Sequence, residues 1–515
     1  MSTVKPQKNR IIAVDIGTTS TKTLLLDREG QVVSSHTVGY PLHTPSPEIA
    51  EQEPDEIVQA VLQGIRQVMA SPDVSKEDIV CVSFSAAMHS LIAVDENNAL
   101  LTRMITWADS RSQKAAEQLL QGEEGLEVYH ATGTPIHPMS PLVKLAWMKE
   151  QGIKAYQSAH KFIGIKEYIF YKLFGTYVID YSLASATGLF NLESLQWDDK
   201  ALAIAGISEQ QLSTTVPTTH CMTGIHDGYA DFMGLSPDTP VVVGASDGVL
   251  ANLGAGVLDA RHMAVSIGTS GAIRTVVPRP ALDSKGRLFC YALTEDHWVI
   301  GGASNNGAIV LQWVIEQLYA MESETCKSNG QDPYEVLLKE AEKIDPGADG
   351  LLFLPLLTGE RAPFWNADAR GVFFGLSLSH TKAHMLRAAL EGVMFQLAVI
   401  KELLQQMSGP GEEIIASGGF ARSALWCQMM ADIFGMTVLI PKVVDSSGLG
   451  AARLGLYALG EVDTLTSFGD EREGVRYVPN PVTHERYRQL LPLYQQVYEQ
   501  LKGQFTEIVR FQPRG

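Results

Sequence analysis

Residues 11–27, IIAVDIGTTSTKTLLLD, and residues 263–277, MAVSIGTSGAIRTVV, carry nearly the same pattern. In each stretch an apolar strand runs into Ile-Gly-Thr and a small hydroxyl residue, and a second strand follows a short turn. Glycine lets the backbone approach a ligand closely, and hydroxyls together with turn amides offer several donors to one anion. Two such hairpins predict a duplicated domain whose halves bind the phosphates of one nucleotide. The alternative is a pair of ordinary hairpin turns.

The hairpins supply the candidate nucleotide contacts, because no G-x-x-x-x-G-K-[ST] loop is present and no G-x-G-x-x-G opens a helix after a strand. These candidates are Thr18, Thr19, Ser20 and Lys22 in the first hairpin and Gly268, Thr269 and Ser270 in the second. Asp15 ends the first strand, and an acidic residue beside phosphate-binding hydroxyls is a candidate magnesium ligand.

Composition limits the class of protein. The chain has 515 residues, of which 45% are hydrophobic and 19% charged, as in a packed globular protein. Its net charge of −18 argues against a nucleic-acid partner, which needs clustered Lys and Arg. Apolar runs such as 351–357 are too short to span a bilayer, the N-terminus lacks a signal-peptide pattern, and the five cysteines are scattered. We therefore expect a cytoplasmic protein with no membrane partner and no cysteine metal site.

The order of elements predicts an α/β protein with two domains. Strands at 11–15, 21–26, 31–38 and 79–85 are interleaved with a helix at about 54–70, which favours a mixed sheet with helices on its faces. Residues of about 103–220 are rich in turns and are expected to be an insertion that shapes a pocket. The second half restarts at VVVGASDG (241–248). We place the domains at 1–246 and 247–515 and expect a ligand-binding cleft between them.

Two further motifs lie where predicted strands end. Asp247 follows VVVGAS between Ser246 and Gly248, so its carboxylate is open to an incoming hydroxyl and is a candidate general base. The alternative is a turn aspartate that binds its own backbone. Gly418 and Gly419 lie between a strand and a helix, which permits close approach of a base or phosphate, although for this motif taken alone a tight turn needed only for folding is the better explanation.

A third group of residues suits a polyol. Met88 and His89 follow the strand 79–85, and ITWADSR brings Trp107, Asp109 and Arg111 close behind. An apolar ring beside donors and acceptors can hold a chain of hydroxyl groups, but such residues are also common in cores and surface ion pairs. Further cation or aromatic candidates are Lys166, Arg361 and Trp365.

Taken together, these segments resemble the FGGY carbohydrate kinases over essentially the whole chain, to about residue 460. The stretches that carry the resemblance are DIGTTSTK, AMHS, ITWADSR, GASDG, SIGTSG, LTGERAPFW and SGGFARSALWCQMMADIFG. The resemblance implies two actin-like, ribonuclease-H-like ATPase domains with an insertion in the first. It also implies a kinase that uses ATP and magnesium, transfers phosphate to an alcohol group, and forms a homodimer.

Site roles implied by the resemblance can be placed on this sequence. Asp247 is implied as general base, and Asp15 and Asp247 as residues near magnesium. The nucleotide residues implied are Thr18, Thr19, Lys22, Gly268, Thr269, Gln312, Gly418, Gly419 and Ser423. The sugar residues implied are Met88, His89, Trp107, Asp109, Arg111 and Asp247. Ala308 stands where some relatives have glycine, which is a departure beside Gln312.

Within the family, GTPIHPMSPL, VIDYSLASATG and GERAPFWNADARGVFFGL resemble the subgroup that phosphorylates gluconate. The resemblance implies conversion of gluconate to 6-phosphogluconate, with His89, Arg111, Lys166 and Arg361 as candidate cations for the sugar-acid carboxylate. A kinase for a neutral ketose or polyol such as xylulose is the alternative, since the Met-His pair is shared by xylulose kinases. An actin-like ATPase without sugar kinase activity and a non-catalytic sugar sensor are alternatives from other classes.

Overall fold

The computed structural model describes residues 9–72, 74–442, 446–465 and 473–511. In its first half the strands are β1 Arg10–Ile16, β2 Ser20–Asp27, β3 Val32–Gly39, β4 Glu51–Gln52, β5 Ile79–Ala86, β6 Ile92–Val94, β7 Met104–Ile105, β8 Lys161–Ile163, β9 Val178–Asp180, β10 Phe190–Asn191, β11 Gln196–Trp197, β12 Thr214–Val216, β13 Cys221–Met222 and β14 Val241–Ser246. The helices are α1 Pro54–Met69, α2 Gln113–Gln121, α3 Glu123–Thr132, α4 Pro141–Glu150, α5 Lys154–Ser158, α6 Ile165–Phe174, α7 Tyr181–Ser185, α8 Asp199–Ala205, α9 Asp227–Met233 and α10 Asp247–Gly254.

The second half continues the alternation of strands and helices. Its strands are β15 His262–Ile267, β16 Gly271–Val277, β17 Phe289–Ala292, β18 Trp298–Ser304, β19 Leu352–Leu354, β20 Val372–Phe374, β21 Glu413–Ser417, β22 Thr437–Pro441 and β23 Gly474–Tyr477. Its helices are α11 Ala308–Leu318, α12 Ala320–Ser328, α13 Pro333–Glu342, α14 Lys382–Ser408, α15 Ala424–Phe434, α16 Ser446–Ala458 and α17 Pro481–Val509.

Two large sheets share one strand pattern. The first has the order β3-β2-β1-β5-β14-β13, with β1 parallel to β5, β5 parallel to β14, and antiparallel pairs at both sides. The second contains β18-β16-β15-β21-β22-β23, where β15, β21 and β22 are parallel neighbours and β16 and β23 run antiparallel to their partners. An antiparallel hairpin followed by parallel strands therefore occurs twice, which confirms the predicted duplication.

The contacts divide the chain into two compact units. The first consists of Met1–Leu258, Val277–Val299 and Asp445–Glu471, and the second of Asp259–Val276, Ile300–Val444 and Arg472–Gly515. The division predicted between 246 and 247 therefore differs from the observed one, and Asp247 lies in the first unit. The physical reason is that α10 continues directly from β14 and packs against α16, which itself covers β1 and β5.

The helix predicted at about 54–70 is formed as α1, Pro54–Met69. Helix α1 begins with Pro54 and acidic residues in its first turn, and it packs its apolar face on β2 and β3. Among the described residues, one helix, α14, is long and apolar enough to cross a membrane by length and composition alone. Because 83% of its apolar window is buried, α14 has the character of a core helix. The region 103–220 forms short helices and two-stranded sheets outside the main sheet, as predicted.

Candidate active site

The first predicted phosphate turn is a tight hairpin. Strands β1 and β2 pair with Asp15 opposite Lys22, and the Gly17 amide donates to the Ser20 carbonyl at 3.0 Å. Thr18 and Thr19 form the loop between these two residues. The hairpin therefore places Asp15 at the carboxyl end of β1, immediately beside the hydroxyl residues of the turn.

Protein donors bind the carbonyl oxygens of this turn. Tyr40 Oη donates to Gly17 O at 2.6 Å, Gln52 Nε2 donates to Thr18 O at 2.8 Å, and the Tyr40 amide donates to Thr19 O at 3.1 Å. Burial raises the pKa of Tyr40 to about 12, so its hydroxyl stays protonated and able to donate at neutral pH. In a trans peptide the N–H points opposite to the C=O, so the Thr18 and Thr19 amides point away from Tyr40 and Gln52. Such amides are suited to an anion.

Two serine hydroxyls orient the Asp15 carboxylate. Ser85 Oγ donates to Asp15 Oδ1 and Ser447 Oγ donates to Asp15 Oδ2, both at 2.7 Å. Ser85 lies on β5 directly beside Asp15 in the register, whereas Ser447 comes from α16. Charge-assisted bonds of this kind stabilise the ionised form of a carboxylate and fix its orientation.

Asp247 leaves the same edge of the sheet as Asp15. In the register of the parallel strands, Ile16 pairs with Ala86 and Ala86 pairs with Ser246, and Asp247 follows as the first residue of α10. Because neighbouring strands lie about 4.8 Å apart, the two aspartates are about 10 Å apart along the edge at their Cα atoms. Asp247 Oδ1 also accepts the neighbouring Gly248 amide at 2.6 Å, which is the predicted turn interaction, and Asp247 itself is half-buried at the strand end.

The predicted sugar residues Met88 and Trp107 lie beside the first turn. Together with Gly17 and Thr18 they line a small cavity of about 20 Å³, enough for about one water molecule. Trp107 Nε1 donates to Thr18 Oγ1 at 2.9 Å. The structure thus joins a residue predicted for the sugar to a residue predicted for the nucleotide.

His89 has an unusual backbone conformation. Its φ of 68° is in the left-handed region, which is uncommon for a residue other than glycine. Its ring Nδ1 lies 2.7 Å from Ala186 O, and its carbonyl accepts from Lys144 Nζ at 2.7 Å. Lys144 is fully buried and also donates to Met139 O at 2.7 Å, and burial lowers its pKa to about 7. Lys144 therefore holds the strained backbone of the Met88-His89 segment.

Asp109 and Arg111 form a clustered ion pair. Arg111 Nε lies 3.0 Å from both oxygens of Asp109, and its NH2 group lies 2.5 Å from Glu51 Oε1. Asp109 Oδ2 also accepts the Ala50 amide at 3.0 Å, and its side chain is 1% exposed. The structure gives Asp109 a role in holding Arg111, and two carboxylates compensate the charge of Arg111.

The structure does not support Lys166 as a cation for the sugar-acid carboxylate. Its side chain is 2% exposed, its Nζ lies 2.6 Å from Asp180 Oδ2, and it also donates to Ala245 O at 3.3 Å. Burial lowers the pKa of Lys166 in spite of the opposing effect of Asp180. Lys166 forms this buried ion pair with Asp180, so Lys166 is no longer a candidate cation for a substrate carboxylate.

The second predicted phosphate turn lies in the second unit and is one residue shorter than the first. Ile267 pairs with Gly271, and the Gly268 amide donates to Ser270 O at 2.9 Å. The amides at the start of α11 bind its carbonyls: Ala308 N donates to Gly268 O at 2.7 Å and the amide of residue 307 donates to Thr269 O at 3.0 Å. As in the first turn, the amides that follow these carbonyls, those of Thr269 and Ser270, therefore point away from the protein donors.

A buried carboxylate fixes the segment before α11. Glu360 is 2% exposed and accepts from Ser304 Oγ at 2.8 Å, Asn305 N at 2.7 Å, Asn306 Nδ2 at 3.1 Å and the Arg361 amide at 2.8 Å. Burial raises the pKa of Glu360. Through this network Glu360 supports the chain that reaches the second turn.

Arg361 and Trp365 lie on the loop that follows Glu360. Arg361 Nε donates to Asn305 Oδ1 at 2.7 Å, and Trp365 has a left-handed φ of 46°. Both belong to the second unit, whereas His89 and Arg111 belong to the first.

The two adjacent glycines differ in role. Gly418 has a φ of 107°, and a Cβ there would lie 2.2 Å from Ile267 O, so folding alone requires glycine. A Cβ on Gly419 would meet nothing within 4 Å, so Gly419 borders open space.

Ser423 is the N-cap of α15, and its Oγ accepts from Trp426 N at 3.2 Å. Gln312 is exposed on α11, and its Nε2 donates to Glu316 Oε1 at 2.8 Å.

Comparison with known proteins places these features in a family. Residues 10–254 match the N-terminal domain of the FGGY family of carbohydrate kinases, and residues 263–459 match its C-terminal domain. The chain therefore belongs to the FGGY family of carbohydrate kinases and is an alcohol-acceptor phosphotransferase, as predicted.

Individual relatives extend over almost the whole chain. The gluconokinase of Bacillus licheniformis is 51% identical over 505 residues, which cover 98% of each chain. The structure of ligand-bound xylulose kinase from Lactobacillus acidophilus superposes with a TM-score of 0.92 at 36% identity, covering 97% of this chain and 99% of that one. The structure of gluconate kinase from the same species gives a TM-score of 0.91 at 36% identity with the same coverage.

Several supporting residues were missed by sequence reasoning. These are Tyr40, Gln52, Ser85, Lys144, Glu360 and Ser447. Glu360 alone had a visible signal, because it stands beside the candidate Arg361 in the GERAPFW motif. The others act on partners far along the chain and belong to no pattern that indicates ligand binding.

Proposed function

We propose that this protein catalyses ATP-dependent phosphorylation of D-gluconate to 6-phospho-D-gluconate. The observation that carries the phosphotransferase part is the shared edge of the parallel strands β1, β5 and β14, where Asp15 lies near the end of β1 and Asp247 follows β14, with β5 between them, beside a hairpin of hydroxyls and amides. The 51% identity to a gluconokinase supports gluconate as the acceptor.

In the proposed reaction Asp247 is the general base. The terminal hydroxyl oxygen of gluconate bonds to the γ-phosphorus of ATP, its proton moves to the Asp247 carboxylate, and the bond from phosphorus to the leaving ADP oxygen breaks. Because the transition state of such transfers is loose, positioning and charge neutralisation supply most of the catalysis.

The turn residues are proposed to bind the nucleotide. Thr18, Thr19, Ser20 and Lys22 would contact phosphates with the first hairpin, and Gly268 and Thr269 with the second. Gly419 borders open space and would line the adenosine pocket, whereas Gln312 and Ser423 stay predictions whose side chains also have the partners described above.

Magnesium fits the residues at the edge of the first sheet. Asp15 and Asp247 offer the carboxylate oxygens that Mg²⁺ prefers, and two serine hydroxyls orient the Asp15 carboxylate. The described residues contain no group of three or more His, Cys, Asp or Glu side chains able to hold a metal. Two carboxylates suffice, since Mg²⁺ is commonly held by one or two carboxylates together with water and substrate phosphates. When bound, the ion would neutralise phosphate charge.

His89 is proposed to recognise the gluconate carboxylate. Arg111 is compensated by Asp109 and Glu51, Lys166 is paired with Asp180, and Arg361 is bonded to Asn305. The Ala186 carbonyl accepts from His89 Nδ1 and thereby sets the direction of Nε2, which donates to a carboxylate when both ring nitrogens carry a proton. Met88 and Trp107 would pack against the sugar chain, and Arg111 would donate to its hydroxyls.

A neutral ketose such as xylulose is the second candidate acceptor, because a xylulose kinase structure superposes as well as a gluconate kinase structure does. The test is ADP release from ATP and magnesium with gluconate, xylulose, ribulose, glycerol or no sugar. Stimulation by gluconate above the other sugars supports the proposal. Stimulation by xylulose instead would make xylulose the acceptor in place of gluconate, and sugar-independent hydrolysis would overturn the kinase proposal. Action in the cytoplasm and assembly as a homodimer stay predictions.

A further inference from the structure

Strand β14 contains a bulge directly before the proposed base. Val242 pairs with Ser83 of β5, but Ala245 pairs with Ser85, so β14 has one extra residue between these positions. Gly244 takes a φ of 73°, and a Cβ there would lie 1.7 Å from Phe84 O. Bulges bend a strand and redirect the side chains that follow it, and they are frequent beside active sites.

Side chains from the insertion bind the backbone after this bulge. The Ser246 amide donates to Ser182 Oγ at 3.1 Å, and Ser182 Oγ lies 2.9 Å from Ser246 Oγ. Lys166 Nζ donates to Ala245 O at 3.3 Å. The two residues that immediately precede Asp247 are thus held by contacts outside the sheet.

The residues that make these contacts support one another. Asp180 pairs with Lys166 at 2.6 Å, and its Oδ1 caps α7 by accepting the Leu183 amide at 3.0 Å. Helix α7 carries Ser182, so one carboxylate anchors both the lysine and the serine. Lys166, Asp180, Ser182 and Ser246 are all buried. Polar contacts among buried groups fix the geometry of the strand end they bind, whereas a bulged strand end without partners has no such constraint.

We propose that Ser182, supported by the Lys166–Asp180 pair, is a positioning residue that sets the orientation of Asp247 through Ser246 and Ala245. This inference rests on the proposed role of Asp247 as general base. It assigns the insertion a part in catalysis in addition to shaping the sugar pocket. A displacement of about 1 Å at a reacting group can cost about 100-fold in rate, so a small change at this strand end is expected to affect turnover.

The test uses Ser182→Ala, which removes the side-chain hydroxyl but leaves the backbone and Cβ of α7 in place. Its matched control is Ser185→Ala, because Ser185 is a buried serine on the same helix whose Oγ donates to Ser182 O and accepts the Ala292 amide. We expect kcat to fall about 10- to 100-fold in Ser182→Ala, with the KM for ATP changed less than about twofold. Ser185→Ala is expected to lose less than about threefold in kcat.

A double-variant cycle separates positioning from a general loss of stability. If Ser182 acts through Asp247, adding Ser182→Ala to Asp247→Asn lowers kcat by less than about twofold, because the oriented base is already absent. An equal loss in both backgrounds, or unchanged kcat in Ser182→Ala, would overturn the inference.

Two further readouts keep the test decisive. Should Ser182→Ala fail to fold in a thermal melt, Ser246→Ala removes only the hydroxyl contact and is judged by the same criteria. If Asp247→Asn alone retains wild-type turnover, the proposed base is wrong. That outcome is distinct from a failure confined to Ser182.

Discussion

Trp107 Nε1 donates to Thr18 Oγ1 at 2.9 Å, so the indole and the first turn are directly coupled. Trp107 is proposed to contact the sugar and Thr18 the nucleotide. The bond means that the side chain of Thr18 is oriented by a residue of the sugar site, within a single compact unit.

Trp107→Phe keeps an aromatic ring but removes the donor. Since one hydrogen bond is worth about 0.5–1.5 kcal/mol net, we expect the KM for ATP to rise about 2- to 12-fold together with the KM for gluconate. Steady-state kinetics with each substrate varied in turn would measure both. Thr18→Val removes the acceptor and should give a similar change in the KM for ATP, and an unchanged value in both variants would show that the bond does not orient the nucleotide site.

His89→Asn tests recognition of the carboxylate. Asparagine tolerates the left-handed backbone that His89 adopts, so the variant should keep the local fold. A charge-assisted bond is worth about 1.5–3 kcal/mol, so the KM for gluconate is expected to rise about 10- to 100-fold, with little change for xylulose as a neutral acceptor. Equal increases for both acceptors would contradict the proposed role.

Lys144 predicts a pH dependence of stability. Burial lowers its folded-state pKa from 10.5 to about 7. Between these values the unfolded chain binds more protons than the folded one, so the contribution of Lys144 to the free energy of unfolding rises with pH over this window. Lys144→Met abolishes that contribution. Chemical denaturation at pH 7 and pH 9.5 should show a larger difference between wild type and variant at the higher pH.

The same variant also loses two buried hydrogen bonds. Removing the donor from His89 O and Met139 O should destabilise the protein by about 1–3 kcal/mol at pH 7, and by more at pH 9.5. A difference between wild type and Lys144→Met that does not change with pH would mean that Lys144 stays charged in the folded state.

Glu360→Gln tests the support of the second turn. The substitution places an amide donor against a network of donors and should weaken the segment that reaches Gly268 and Thr269. We expect the KM for ATP to rise about tenfold or more and the KM for gluconate less than about twofold. Glu324→Gln, at an exposed position of α12 in the same unit, serves as control. Equal changes in both Michaelis constants would indicate a general loss of structure.

Much of the fold follows from local patterns. The Ile-Gly-Thr hairpins, the apolar strand before Asp247 and the long helix at 382–408 each have a signature in contiguous residues, and the structure forms all of them. Gly435 also ends α15 in the left-handed conformation, as its position after the helix predicts. Such features depend on backbone preferences and periodicity, which a sequence displays directly.

The support of the site depends instead on tertiary contacts. Ser447 binds Asp15 across 432 positions of sequence, and Ser182 binds Ser246 across 64. Lys166 carried the right charge for a substrate carboxylate, but only the fold reveals that Asp180 neutralises it in the core. A sequence without its fold gives no distance between such residues, so it indicates candidate reacting groups but not the residues that hold them.

The most direct test of the account is the turnover of Asp247→Asn with ATP, magnesium and gluconate, measured as ADP release and as 6-phosphogluconate formed. A positioned base contributes about 10²- to 10⁴-fold, so we expect kcat to fall by that factor while the affinity for ATP, measured by calorimetry, stays within about twofold of wild type. A variant that retains more than about a tenth of wild-type turnover would contradict the assignment of Asp247 as the general base.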